Sequence, residues 1–200
     1  MTKALFYVGE IFMNYKIYTD GSCLGNPGAG GFAAIIIDES GGREEIFGGE
    51  KFTTNNRMEL MAAISALKKI SVGSYVELFT DSNYLKNAFT QNWLANWKRR
   101  GWIAAGGGAV KNQDLWHELD DLISARNVNF NWVKGHAGNS YNERCDKLAR
   151  DTALKFQNQP DYKPPIQKIE TPLKVEVTPK IKIAQPKIEE NVRWYQQELF

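Results

Sequence analysis

Two strand patterns that each run into an aspartate place the strongest constraint on the fold of this chain. The first is an alternating segment that ends at Asp20, and the second covers residues 75–81 and ends at Asp81. A helical pattern lies between them, preceded by the capping residues 53–56. A strand, a helix and a second strand predict a right-handed crossover and parallel strands. Parallel neighbours end at the same edge of a sheet, so we expect the two aspartates to meet there.

The remaining patterns predict a mixed α/β chain. The first three strands have short connections and predict an antiparallel meander, in which a glycine-rich loop directly follows Asp20 and a bulge lies at Gly48 and Gly49. Residues 101–109 are expected to form a flexible loop. Strands are predicted over 15–20, 31–38, 43–52, 75–81 and 128–134, and helices over 55–70, 82–89, 93–100, 111–126 and 142–158. This order predicts a mixed five-stranded sheet, three strands antiparallel and then parallel, flanked by helices.

The composition shifts near both ends of the chain. Residues 1–13 contain an apolar run that is too short for a membrane span or a secretion signal, so we interpret them as a leader, with Met13 as a candidate natural start. Residues 14–158 are expected to form the folded domain. Residues 159–191 hold six of the seven prolines and predict an extended, flexible linker. Residues 192–200 form an aromatic and apolar C-terminal peptide.

The overall composition indicates a soluble protein that acts in a reducing compartment. The apolar content of 42%, the charged content of 24% and the net charge of +2 are ordinary for a globular protein. Cys23 and Cys145 are far apart and form no metal or redox motif. We therefore expect a cytoplasmic protein with no membrane partner, and a monomer.

Two further acids, Glu59 and Asp146, lie near the starts of predicted helices. Any one of these acids alone is more typical of a helix cap or a solvated turn. If these two acids converge with Asp20 and Asp81, the four carboxylates would repel one another unless cations were bound. Oxygen-only ligands favour Mg²⁺, or Mn²⁺, and four carboxylates are enough for two ions. Two such ions, about 3.5–4 Å apart, can activate water and stabilise the leaving oxygen of a phosphodiester.

Five ordered motifs resemble those of the type 1 ribonucleases H of bacteria. The matching segments are Tyr18–Cys23 with Gly25–Gly28, Thr54–Leu60, Thr80–Ser82, Lys134–Gly138 and Asn142–Asp146. The resemblance spans roughly residues 14–157 and implies a ribonuclease H-like three-layer fold. It also implies a metal-dependent endonuclease that cuts the RNA strand of RNA–DNA hybrids, leaves 3′-hydroxyl and 5′-phosphate ends, and removes RNA primers and R-loops.

The resemblance assigns roles to the acids and to one histidine. Asp20, Glu59, Asp81 and Asp146 fall on the catalytic, metal-binding positions of the family, and His136 falls on its loop histidine. A histidine on a glycine-flanked loop can move protons or help the product to leave. His117 matches no motif, and we interpret it as a surface residue.

The resemblance also implies a nucleic-acid surface. Positions that line the hybrid minor groove and read RNA 2′-hydroxyls are Gly21, Cys23, Asn26, Asn55 and Asn56. Asn26 and Thr54 match a pocket for a DNA phosphate. Asn83 stands where relatives often carry the longer glutamine. The basic protrusion that grips the DNA strand corresponds to Trp93, Lys98, Lys111 and Asn112, whereas Trp97 and Trp102 favour a structural role. The segment 103–109 is uncharged where relatives often carry lysines, which predicts a shallower salt dependence.

The last five residues are similar to the pentapeptide by which many replication and repair proteins dock on the bacterial sliding clamp. Gln196, Leu199 and Phe200 would be its anchors, with the linker providing reach. The alternative is that this apolar end folds back on the domain.

For the whole chain, the alternative to an enzyme is a non-catalytic RNA–DNA hybrid-binding module. The presence of all four acids and of His136 favours the enzyme.

Overall fold

A computed structural model describes residues 13–158 of the chain. The predictions for the leader before Met13, for the linker 159–191 and for the peptide 192–200 lie outside the described residues. The strands are β1 (Asn14–Leu24), β2 (Gly28–Asp38), β3 (Arg43–Thr53), β4 (Tyr75–Thr80) and β5 (Asn127–Trp132). The helices are α1 (Asn55–Leu67), α2 (Asn83–Thr90), α3 (Trp93–Arg99), α4 (Gln113–Ser124) and α5 (Ser140–Gln157).

The five strands form one mixed sheet in the order β3-β2-β1-β4-β5. β1 pairs antiparallel with β2, and β2 pairs antiparallel with β3. β4 pairs parallel with both β1 and β5. Thr19 is the register partner of Thr80, so Asp20 and Asp81 each follow one residue later. The predicted α/β fold and its mixed sheet are confirmed.

Apolar side chains fill both faces of the sheet. On one face, Ile17 and Leu78 pack with Leu60, Ala63 and the helices α1, α2 and α4. The other face packs on α5, where Tyr18 and Ile35 contact Cys145 and Ala149. β2 is buried from Ala29 to Ile36, as its continuous apolar run predicts. The sheet therefore lies between two helical layers, which hold its edges in fixed positions.

The prediction that β1 ends at Asp20 is wrong. β1 continues to Leu24, which pairs with Ala29 of β2. Glycine weakens strands in general, but a side chain at Gly21 would collide with the backbone at the start of α1. A side chain at Gly31 would likewise strike the backbone of α5. These glycines therefore serve close packing of helices on the sheet, and Asp20 lies inside a strand.

Two other local predictions need correction. The β3 register is continuous through Gly48 and Gly49, and the irregularity lies instead between Gly28 and Gly30 of β2. Residues 101–109 form a hydrogen-bonded hairpin, in which Ile103 bridges Ala109 and the Ala104 N–H donates to the Gly108 carbonyl at 2.8 Å.

Some helix boundaries also shift. α1 stops at Leu67, α4 begins two residues later than predicted, and α5 begins two residues earlier, at Ser140. The Asn139 side chain accepts from the backbone N–H groups of Tyr141 and Asn142, and this cap sets the α5 start. No helix within residues 13–158 is both long and apolar enough to cross a bilayer.

Candidate active site

Four acidic side chains lie at the end of the sheet towards which the parallel strands β1 and β4 both run. Asp20 is held within β1 and is 9% exposed. Asp81 directly follows β4, Glu59 lies in the second turn of α1, and Asp146 lies in the second turn of α5. Three independent elements thus bring acids towards Asp20, as the order of the chain predicts.

Burial, together with repulsion between neighbouring acids, raises the pKa of Asp20 and of Glu59. Burial, and then the neighbouring charge of Asp81, raises the pKa of Asp20 to about 8, with smaller contributions from Asp146 and Glu59. Burial likewise raises the pKa of Glu59 to about 7, with Asp81 again adding to the effect. Near neutral pH the site therefore holds protons that a cation could displace.

Hydrogen bonds orient three of the four acids. The backbone N–H of Gly21 donates to Asp20 Oδ1 at 2.7 Å. Asn142 Nδ2 donates to Asp81 Oδ2 at 3.0 Å. Glu59 accepts two bonds, from Ser82 Oγ at 2.5 Å and from Asn55 Nδ2 at 2.8 Å. The acids are thus positioned by donors as well as by the backbone.

The four acids do not form a complete metal-coordination site. Among residues 13–158, no three Asp, Glu, His or Cys side chains form a group ready to hold an ion. Two features nevertheless fit a hydrated cation. Buried Asn142 keeps its Oδ1 atom without a partner beside Asp81, and such an atom can accept from an ion-bound water. Gly135 leaves open the space that a Cβ would occupy 2.7 Å from Asp81 Oδ2.

The loop that follows β5 carries His136. The Val133 N–H donates to the Thr80 carbonyl at 3.0 Å, so the loop leaves the sheet beside Asp81. His136 is exposed, and its backbone is left-handed, with φ at 53°. This position is compatible with a histidine that carries protons between the site and solvent.

The positions proposed to contact the hybrid form a surface beside the acids. Asn26 Oδ1 accepts from the Asn55 N–H at 3.1 Å, which joins the β1–β2 turn to the start of α1. Thr54 caps α1. Cys23 Sγ donates to the Thr53 carbonyl at 3.4 Å. Gly21 lies against α1, Asn56 is exposed beside Asn55, and Asn83 is exposed at the start of α2. Apart from Asn83, which lies at the start of α2, these residues therefore lie in or beside the first turns of α1.

Some side chains of the proposed protrusion already make contacts within the protein. Lys98 Nζ pairs with Asp120 at 2.7 Å, and Trp93 Nε1 donates to Gln91 at 3.1 Å. Lys111 is exposed just before α4, where its carbonyl accepts from the Tyr84 hydroxyl at 3.3 Å. Asn112 occupies the N-cap position of α4 without a side-chain cap bond.

The tryptophans of this region pack as structural residues. Trp97 meets Trp116 edge to face, with ring centroids 5.4 Å apart. Trp102 lies over His117 at 3.9 Å. His117 is exposed, as expected for a surface residue.

Sequence reasoning missed two supporting residues. Ser82 caps α2 by accepting from the Leu85 N–H at 3.1 Å, and its hydroxyl also donates to Glu59. Asn142 was noted only within a motif, and its contact with Asp81 joins residues 61 positions apart. The one available signal was that Ser82 directly follows an active-site acid.

The fold and the acidic edge of its sheet place the protein in the class of α/β phosphodiester hydrolases. The RNase H family model matches residues 13–154, and the chain belongs to this family. The prediction of an enzyme, a ribonuclease H, is confirmed, and the alternative of a non-catalytic module is not supported.

Curated relatives named ribonuclease H support the assignment. The chain is 54% identical over 132 residues to that of Francisella tularensis subsp. novicida, covering 66% of this chain and 86% of the relative. It is 51% identical over 137 residues to that of Aeromonas salmonicida, with coverages of 68% and 88%. It is 48% identical over 148 residues to that of Nitratidesulfovibrio vulgaris, with coverages of 74% and 94%.

Solved structures show the same fold. LC9-RNase H1, a type 1 RNase H with the type 2 active-site motif, superposes with a TM-score of 0.64 at 32% identity, covering 72% of this chain and 74% of that one. LC11-RNase H1 in complex with an RNA/DNA hybrid superposes with a TM-score of 0.53 at 24% identity, covering 70% and 97%.

Proposed function

We propose that this enzyme hydrolyses the RNA strand of RNA–DNA hybrids and leaves 3′-hydroxyl and 5′-phosphate ends. The observation that carries this proposal is the buried Asp20 carboxylate, whose pKa is raised by its own burial and by the charges of Asp81, Asp146 and Glu59. A surface of small and amide side chains adjoins these acids. Such a surface suits the shallow minor groove of a hybrid, where 2′-hydroxyls identify the RNA strand.

Asp20, Glu59, Asp81 and Asp146 would hold two hard divalent cations, Mg²⁺ or Mn²⁺. Their oxygen-only donor set, the unpartnered Asn142 Oδ1 and the open space at Gly135 fit such ions. Bound cations would supply activation of the attacking water and stabilisation of the leaving oxygen. Asn142 would keep Asp81 oriented for this task, and its 3.0 Å hydrogen bond to Asp81 Oδ2 supports this role.

His136 would carry protons between the site and solvent. It stands on a loop that leaves the sheet beside Asp81, and its side chain is exposed. An imidazole can accept a proton from an attacking water or give one to a leaving 3′-oxygen. The open position also allows it to assist departure of the 5′-phosphate product.

Substrate would lie across α1 and the β1–β2 turn. Gly21, Asn26 and Asn55 would approach the minor groove, with the α1 N-terminus and Thr54 suited to a phosphate. The protrusion would meet the DNA strand through Trp93, Lys98 and Lys111. Lys98 must then exchange Asp120 for a phosphate, which limits its net contribution.

A cleavage assay tests the proposal directly. Full-length protein with Mg²⁺ should cut the RNA of an RNA–DNA hybrid and leave duplex DNA and duplex RNA intact. Asp20→Asn should lose at least about 1,000-fold in rate while keeping hybrid affinity in the absence of metal. Equal cleavage of duplex RNA and hybrid would contradict the proposed specificity.

In the cell, we propose, the enzyme removes RNA primers and R-loops in the cytoplasm as a monomer. Both cysteines are free, which suits a reducing compartment. Residues 14–158 would be the catalytic domain, and residues 159–191 a flexible linker. The peptide 192–200 would dock on a sliding clamp through Gln196, Leu199 and Phe200, which would bring the enzyme to sites where primers lie.

A further inference from the structure

Both carboxylate oxygens of Glu59 are occupied by protein donors. Ser82 Oγ donates to Oε2 at 2.5 Å, and Asn55 Nδ2 donates to Oε1 at 2.8 Å. Charge-assisted bonds of this kind are among the stronger hydrogen bonds in proteins. Glu59 is thus held by two side chains from two different helices.

The two donors differ in access. Ser82 is 2% exposed, and its hydroxyl also accepts from the Leu85 N–H at 3.1 Å. Its single proton is therefore committed to Glu59, and no ligand can reach it. Ser82 is a positioning residue with a fixed side chain. It holds Glu59 next to the start of α2, where Ser82 follows Asp81 in the chain.

Asn55 is half-buried and stands at the border between two surfaces. It is the first residue of α1, and its backbone N–H is tied to Asn26 Oδ1 at 3.1 Å. Its backbone is therefore fixed, while its side-chain amide is partly open to solvent. That amide can donate to Glu59 or to a nucleic acid that lies over Asn26 and Asn56.

We infer that Asn55 couples occupancy of the nucleic-acid surface to the availability of Glu59 for a cation. With the surface empty, the Asn55 amide occupies Glu59 Oε1. With a hybrid bound, the amide turns to the nucleic acid, and Oε1 becomes free, while Ser82 keeps the carboxylate in place. The inference rests on the proposed function, because it requires that the ligand of this surface is a hybrid.

Magnesium binding without nucleic acid tests the first half. Calorimetric titration of the full-length chain with MgCl₂ should show roughly three- to tenfold tighter binding by Asn55→Ala, because a competing donor is removed. Ser82→Ala should bind more weakly, because Glu59 loses its fixed support. Asn87→Ala on α2, away from the acids, should match the wild type. Asn55→Ser is a second variant with a shorter side chain at the first position of α1, behind the Thr54 cap, and thermal melts of both variants verify that they fold. Equal or weaker binding by both Asn55 variants overturns the inference.

Nuclear magnetic resonance in EDTA tests the second half. A hybrid added to the full-length protein should shift the Asn55 side-chain amide and the Glu59 carboxyl carbon together, with binding followed separately by fluorescence anisotropy. In Asn55→Ala, the Glu59 carbon should not respond to the hybrid. Binding of the hybrid without movement of either wild-type signal overturns the coupling and leaves the proposed function standing. Failure of the hybrid to bind at all contradicts the proposed function itself.

Discussion

The negative charge of Asp20 lowers the stability of the folded protein when no metal is bound. Its pKa rises from an ordinary 3.8 to about 8 in the folded protein. Below about pH 4 the group is protonated in both the folded and the unfolded state. As the pH rises, the unfolded chain loses this proton first, so the metal-free protein must lose stability up to about pH 8. Glu59 adds to the same trend, because its pKa rises from 4.5 to about 7.

Asp20→Asn should therefore stabilise the metal-free enzyme at pH 8 while abolishing activity. The gain in unfolding free energy should be on the order of 3 kcal/mol, or roughly 5–10 °C in melting temperature, and should shrink towards pH 4. Thermal melts in EDTA between pH 4 and 8 measure it. Asp121→Asn, at an exposed acid of α4, should leave the wild-type pH profile unchanged. Parallel profiles for wild type and Asp20→Asn would contradict the raised pKa of Asp20.

Gly135 offers a way to move the Asp81 carboxylate, which is proposed to be catalytic, without disturbing the fold. A Cβ at this position would lie 2.7 Å from Asp81 Oδ2, with the next contacts beyond 3.5 Å. Gly135→Ala should therefore push the Asp81 side chain and lower kcat by about 10- to 100-fold, with a stability loss under about 1 kcal/mol. Gly106→Ala, in open space, is the matched control. Steady-state kinetics and thermal melts decide, and normal kcat in Gly135→Ala would exclude crowding of Asp81.

At the scale of elements, the sequence predicts the helices and strands that follow from periodic residue patterns. It does not predict features that depend on contacts between residues far apart in the chain. The antiparallel meander of β1 to β3 and the parallel pairing of β1 with β4 follow from hydrophobic periodicity and from the crossover rule. The proposed roles of the four acids and of His136 come from the motifs in which they lie. The continuation of β1 past Asp20 was missed, because Gly21 suits a loop in isolation and becomes a strand residue only against α1. The Asn142–Asp81 and Ser82–Glu59 bonds were missed for the same reason: each joins residues far apart in the chain.

The hairpin within the protrusion should set the salt dependence of hybrid binding. Its residues 103–109 carry no charge, and Lys98 is already paired with Asp120. Hybrid affinity should thus fall less steeply with salt than in a lysine-rich relative. Adding cations by Ala105→Lys together with Ala109→Lys should steepen the slope of log affinity against log salt by about one unit per lysine.

Ala105→Gln with Ala109→Gln is the matched neutral pair, because both positions are exposed. Anisotropy titrations in EDTA at several salt concentrations give the slopes. Identical slopes for the lysine and glutamine pairs would show that this hairpin does not approach the phosphates.

The chain joins a folded domain, described over residues 13–158, to a tail of very different composition. Two hydrophobic layers fix the acidic edge within residues 13–158. Residues 159–191, if extended at about 3.1 Å per residue, would allow the C-terminal peptide to reach on the order of 100 Å from the end of α5. Tethering of this kind raises the local concentration of an enzyme at its substrate without any change at the active site.

Loss of the apolar end should therefore separate recruitment from catalysis. Full-length Leu199→Ala/Phe200→Ala should lose capture of the purified bacterial sliding clamp by at least about tenfold, because two buried anchors are removed. Its cleavage of a free hybrid should equal that of the wild type, because the acids are untouched. Glu198→Gln, beside the proposed anchors, is the matched control and should bind the clamp normally. Clamp capture by the double variant at wild-type strength would refute docking. Reduced cleavage of free hybrid with no clamp present would instead show that the tail folds back on the domain and supports it.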